Sequence, residues 1–212
     1  MAKFAIDLSP LRKSRDFSLL WAAGLISYFG SMITYVAVPF QIKELTGSYV
    51  AVAISGLVEI VPLVIFGLYG GVLADALDRK KLIWVTELLS LLFTAILLIN
   101  SMMDSPNLLL IYIVSGLFAA TSGLRQPAMQ AALPRLVDHE DMTAAAALMS
   151  LRWQVGVIVG PAVGGILISS YSIAVGYAAD IATFIISIAL IAFMKNIPPS
   201  HEAEAPSLSA LI

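Results

Sequence analysis

Gly70-Gly71-Val72-Leu73-Ala74-Asp75-Ala76-Leu77-Asp78-Arg79-Lys80-Lys81, written GGVLADALDRKK, places five charges within seven residues of a chain that is otherwise close to hydrocarbon. Of the 212 residues, 59% are hydrophobic and only 12% are charged. Soluble domains carry about 25% charged residues. A soluble fold of this length has no interior large enough to hide so much apolar surface, so the composition is that of a membrane protein. The net charge is −2 and no basic patch stands out, which leaves nothing to bind a nucleic-acid backbone. Cysteine is absent, which excludes disulfides, zinc-thiolate sites and cysteine nucleophiles. No metal site and no cofactor are expected.

Outward from this loop the chain alternates between long apolar runs and short polar breaks. A helix needs about 20 mostly apolar residues to cross the hydrocarbon. Six stretches meet that requirement: 17–41, 49–74, 82–102, 107–131, 144–170 and 173–194. The first runs far past a signal-peptide core and is followed by further spans, so it reads as an uncleaved helix. Residues 1–16 are then a cytoplasmic segment. Lys3, Arg12, Lys13, Arg15, Arg79, Lys80, Lys81, Arg135 and Lys195 all fall on one side of the membrane, against Lys43 alone on the other. An excess of Lys and Arg marks the cytoplasmic face, so both ends are expected inside a multi-pass protein of the cell membrane.

A shift of 94 residues lays Gly70-Gly71-Val72-Leu73 on Gly164-Gly165-Ile166-Leu167, the first span on the fourth and the third on the sixth. Spans two and five cross in opposite directions, so the expected fold is all-α, with six transmembrane helices as an inverted 3+3 repeat. Repeats of this kind characterise secondary transporters. Ile197-Pro198-Pro199 stops the sixth helix and a polar linker follows. Ser207 to Ile212 then reads as the opening of another helix, so 195–212 is expected to lead toward a second bundle.

The opening loop carries two readings. Its bases are a topology signal and would meet anionic headgroups, and Gly70 and Gly71 allow a neighbouring helix to approach. Asp75 ends span two, where it could complement the dipole of another helix. Span five contains Gly156-Val157-Ile158-Val159-Gly160-Pro161-Ala162-Val163-Gly164-Gly165. Its glycines at a spacing of four form one face, and Pro161 permits a bend. Small residues in this pattern are also ordinary helix-packing surfaces.

Taken together, these stretches resemble two signatures of the major facilitator superfamily. Gly71, Leu73, Ala74, Asp75, Arg79 and Lys80 match the loop signature Gly-x-Leu-Ala-Asp-Arg-x-Gly-Arg-Arg; Ala76 stands where Arg is usual, and Asp78 replaces the second glycine. The span-five run matches the antiporter signature Gly-x-x-x-Gly-Pro-x-x-Gly-Gly. The acid at position 78 and the run Val38-Pro39-Phe40-Gln41-Ile42 resemble the siderophore-exporter and macrolide-efflux group of the superfamily. The resemblance implies the N-terminal half of a twelve-helix bacterial efflux permease working by alternating access. Its substrate would be a siderophore such as enterobactin or a hydrophobic drug, its coupling ion a proton or another ion, and its partner a C-terminal six-helix bundle. It also implies a gate loop at Gly71, Asp75, Asp78, Arg79 and Lys80, and a leak-controlling contact at Gly156, Gly160, Pro161, Gly164 and Gly165. The fourth span departs from the family. With Gly116 on the motif glycine, Tyr112 stands where the proton-coupling Arg is usual.

Charges within the spans complete the set, since each costs about 2.5–3.5 kcal/mol at mid-bilayer. Glu87, Arg125 and Arg152 lie at comparable depth, as an ion-paired cluster or as a gate remade during transport. Glu59 and Asp180 have no base at their depth. Each is a candidate for coupling or substrate contact, or else a hydrogen-bonded structural carboxyl, with Asp180 on a helix expected at the periphery. Tyr28, Tyr35, Tyr112, Trp153 and Gln154 could line a cavity for an aromatic solute, or simply pack. Two other classes compete. An intramembrane enzyme would need a nucleophile–base pair or metal cluster, yet both histidines lie in loops and no Gly-x-Ser-x-Gly or His-Glu-x-x-His occurs. A half-size unit that dimerises, or acts as a scaffold without independent transport, is the other.

Overall fold

The computed structural model describes residues 7–198. A short helix α1 (Ser9–Lys13) is followed by six long ones: α2 (Arg15–Thr46), α3 (Tyr49–Ala76), α4 (Arg79–Ser101), α5 (Leu108–Leu136), α6 (Met142–Ser170) and α7 (Ile173–Ala192). All six are long and apolar enough to cross a membrane. The first turns of five of them, all but α6, carry a side-chain cap. Ser14, Ser48, Asp78, Asn107 and Ser172 each accept a hydrogen bond from a backbone N–H three residues on. At the far end of α2 the chain turns on Gly47, whose φ of 65° puts it in the left-handed region that glycine enters without strain. Pro127 and Pro134 lie inside α5, so the helix continues past residue 131, where the fourth span was expected to end, and stops after Leu136. Each proline removes one backbone N–H from the helix ladder, a loss that membrane helices tolerate.

The heavily packed helix pairs are α3 with α5, α2 with α6, α2 with α7, α4 with α5, and α4 with α7. Exchanging α2 with α5, α3 with α6 and α4 with α7 maps this set onto itself. The 94-residue sequence shift is therefore also a symmetry of the packing, and because it spans three helices, it inverts direction. Close approach in the two related pairs rests on glycine. A methyl on Gly123 of α5 would lie 2.6 Å from the Leu63 carbonyl oxygen of α3, and one on Gly70 would lie 2.9 Å from Leu124 Cα.

On the other side of the repeat, α6 lays Gly156, Gly160 and Gly164 against Tyr28, Met32 and Ile33 of α2. Gly165, in the same run, has nothing within 4 Å of where a Cβ would stand. Gly160→Leu should therefore lift α6 from α2 and cost about 1–3 kcal/mol through overpacking, while Gly165→Ala stays within about 0.5 kcal/mol of wild type. Thermal melts of the two proteins in one detergent check this, and equal melting temperatures would show that α6 does not depend on that face.

Asp180 does not sit at the periphery. It is fully buried, because α7 packs between α2 and α4. Gly30 of α2 makes room: a methyl there would meet Thr183 and Asp180. In contrast, α3 buries only Ser55, Gly70 and Ala74, and many of its apolar side chains, Leu57, Val61 and Leu68 among them, are exposed.

Candidate functional site

A cavity of about 530 Å³ opens between α2, α3 and α5, with Trp153 of α6 at its edge. Tyr28, Tyr35, Phe118 and Trp153 give it aromatic walls, and Glu59 and Arg125 give it charges of opposite sign. Ser115 adds a buried hydroxyl with no hydrogen-bond partner. Glu59 is half-buried on α3 and has no hydrogen-bond partner among the described residues. Of the residues singled out from the sequence, the structure brings Glu59, Tyr28, Tyr35, Trp153 and Arg125 to one space. It leaves the others elsewhere.

Tyr112 is not in the cavity. Its hydroxyl donates to the Ala51 carbonyl oxygen at 2.8 Å, pinning α5 to the start of α3. The same register that puts Gly116 against Val58 turns the Tyr112 ring toward that end. Tyr112→Phe should cost about 1 kcal/mol and leave ligand binding in the cavity unchanged; a binding defect with intact stability would return Tyr112 to the site. Gln154 is exposed and does not line this cavity. Asp180 accepts from Thr34 at 2.5 Å and Thr94 at 3.3 Å on one oxygen, and from Thr183 at 3.3 Å on the other. It therefore joins α2, α4 and α7. These three threonines escaped the sequence reading, although Thr34, Thr94 and Thr183 are the hydroxyls that make a buried acid tolerable.

Beneath the cavity lies the charged layer. Arg125 Nη1 donates to Glu87 Oε1 at 2.6 Å, and Ser27 donates to the same oxygen at 2.9 Å. The expected three-residue cluster is a pair plus a lone guanidinium. Arg152 is buried, but its Nη1 meets only the sulfur of Met129 at 3.7 Å, and its Nε has no partner. Gly24 provides its space, since any side chain there would collide with the guanidinium.

Two of the three bases of the opening loop, Arg79 and Lys80, are spent within this bundle, while Lys81 is exposed. Asp78 caps α4, accepting from the Lys81 backbone N–H at 3.1 Å. Arg79 is buried, so it does not meet headgroups. Its backbone N–H donates to the Ile197 carbonyl at 3.0 Å and its Nη1 to the Pro198 carbonyl at 2.9 Å. Lys80 donates to the Ala192 and Met194 carbonyls and so caps the end of α7. These contacts draw the segment after α7 onto the α3–α4 loop, which no local spacing in the sequence reveals. Asp75 is exposed, and Gly71 faces open space. At the same end, Lys13 of α1 pairs with Asp141 at 2.8 Å, a bond that holds its ammonium above the usual lysine range.

Residues 5–209 match the family described as transmembrane secretion effector. The enterobactin exporters EntS of Salmonella choleraesuis (strain SC-B67) and Shigella boydii serotype 18 are each 32% identical over 210 residues, which is 97% of this chain and 50% of theirs. That of Escherichia coli O1:K1 / APEC is 31% identical over the same length. The chain thus spans about half the length of the curated relatives it matches. A family match over nearly every residue, together with six apolar helices in a repeated packing, gives one conclusion: this membrane protein belongs to the transmembrane secretion effector family of the major facilitator superfamily and has the fold of its N-terminal six-helix half.

Proposed function

We propose that the chain is the N-terminal bundle of a secondary active exporter that moves a siderophore or a hydrophobic drug by alternating access. The observation that carries this reading is the cavity: aromatic walls with one acid and one base, in a bundle whose α3 leaves much of its apolar length uncovered. Relatives named as enterobactin exporters support the siderophore class for the whole protein, with enterobactin as the first substrate to try. In this reading the bundle sits in a bacterial inner membrane with both ends cytoplasmic, which the one-sided distribution of Lys and Arg supports. A second six-helix bundle closes the cavity, and Glu59 carries the coupling proton. Asp75, left exposed and unbonded, is free to engage that bundle, as the gate reading requires.

The test is export from cells with and without the full-length gene, measured separately for a catecholate siderophore and a macrolide. Faster efflux of either supports the reading and selects the substrate class. No difference for either would remove both classes.

A further inference from the structure

Two buried polar atoms in the charged layer lack partners, and they are complementary: the acceptor Glu87 Oε2 and the donor Arg152 Nε. They are also near each other, by two independent measures. On α5, Arg152 touches Met129, one turn (about 6 Å) from Arg125. On α2, Arg152 fills the space at Gly24, three residues (about 4.5 Å) from Ser27, which binds Glu87. Both helices thus place the lone guanidinium one turn from the existing ion pair, a distance that rotation of two long side chains can cover.

The layer holds one acid and two bases, so whichever arginine Glu87 takes, the other is left unpaired inside the membrane. The two pairings strand the same kind of charge. They differ in one respect: Arg125 lines the cavity, whereas Glu87 and Arg152 do not. An anionic group entering the cavity and taking Arg125 would leave every base in the layer paired only if Glu87 moves to Arg152. Resting on the reading of the cavity as the substrate site, we propose that Glu87 alternates between Arg125 and Arg152, and that the cavity takes an aromatic organic anion whose charge, by claiming Arg125, drives the exchange. At present Glu87 ties α4 to α5 and, through Ser27, to α2; after the exchange it ties α4 to α6. Substrate binding is thereby converted into a change in which helices are held together.

The titratable groups around this layer are Tyr28 on α2, Glu59 on α3, Arg125 on α5, Arg152 on α6 and Asp180 on α7. Without Arg152, a displaced Glu87 has no base to receive it and must take up a proton instead.

The test uses the full chain in lipid nanodiscs, with anilinonaphthalene sulfonate as the aromatic anion and ethidium as the aromatic cation, both read by quenching of Trp153 against a W153F control. The pH arms are run in the Glu59→Gln background, which removes the titratable carboxyl of the cavity; there the anion binds with an affinity that is flat between neutral and mildly acidic pH. Arg125→Gln should weaken the anion at least tenfold and leave the cation unchanged. Arg152→Gln added to the Glu59→Gln background should weaken the anion several-fold at neutral pH and make binding tighten as pH falls, the signature of a proton taken up by Glu87. If the double variant binds like its Glu59→Gln parent at every pH, there is no exchange. If Arg125→Gln affects neither probe, or both equally, the anion class is wrong. If neither probe quenches Trp153 in any variant, the cavity reading itself fails.

Discussion

Glu87→Ala should destabilise the bundle by about 3–5 kcal/mol, the usual result of removing one partner from a buried ion pair. The reason is local. Glu87 is the only acid in its layer among the described residues, 1% exposed, and its Oε1 accepts from both Arg125 and Ser27. Without it, two guanidinium groups remain inside the bundle with a serine and a thioether for company. Arg125→Ala should cost less, because Glu87 still has the Arg152 guanidinium one turn away. Arg152→Gln should behave in the opposite way. Its charge is already unpaired, so its removal should leave the melting temperature unchanged or raised. The measurement is a thermal melt of the three purified variants in one detergent. Equal losses for all three would mean that Arg152 is bonded as tightly as Arg125, and the description of the layer as a pair plus a lone base would be wrong.

That asymmetry marks the boundary of what the sequence discloses. Depth along a helix is a matter of counting residues, so the matching levels of Glu87, Arg125 and Arg152 could be read from the spans alone. Which two of them bond depends on the rotation of three helices about their axes. Here the glycines decide: Gly24 admits the Arg152 guanidinium beside α2, one turn away from the Ser27 hydroxyl that holds Glu87. The 94-residue shift was legible for the same reason as depth, because it concerns order along the chain.

Asp180 was misplaced on the periphery because its burial comes from contacts 86 and 146 residues away, with Thr94 and Thr34. Arg79 looked like a headgroup ligand because the segment that covers it, Met194 to Pro198, follows the last helix and returns to the loop only in three dimensions. The cavity was partly legible. Glu59 stood out as an acid without a base at its depth, and the structure leaves it without a partner. Of the two readings open for the tyrosines, Tyr112 takes packing while Tyr28 and Tyr35 line the cavity, because helical position does not say which ring turns toward the space and which hydroxyl is spent on a backbone carbonyl.

Glu59→Gln is the substitution with the largest expected effect on transport. Glu59 lies on α3, the helix least buried within the bundle, and reaches into the cavity that Arg125, Tyr28 and Trp153 also line. It is half-buried and lacks a partner, so it can meet substrate or solvent without first breaking a bond. Asp180 is the contrasting case: fully buried, held by three threonine hydroxyls and remote from bulk water. A glutamine at 59 keeps the shape and hydrogen-bonding capacity of the side chain but cannot exchange a proton. In membranes carrying the full-length protein, Glu59→Gln should therefore abolish substrate accumulation driven by a pH gradient while preserving exchange of labelled for unlabelled substrate. That split matters, because a merely misfolded variant loses both activities. Asp180→Asn should lower the melting temperature first, with any transport defect following the loss of folded protein. Gradient-driven accumulation that survives Glu59→Gln would clear Glu59 of coupling and leave it only as a substrate contact.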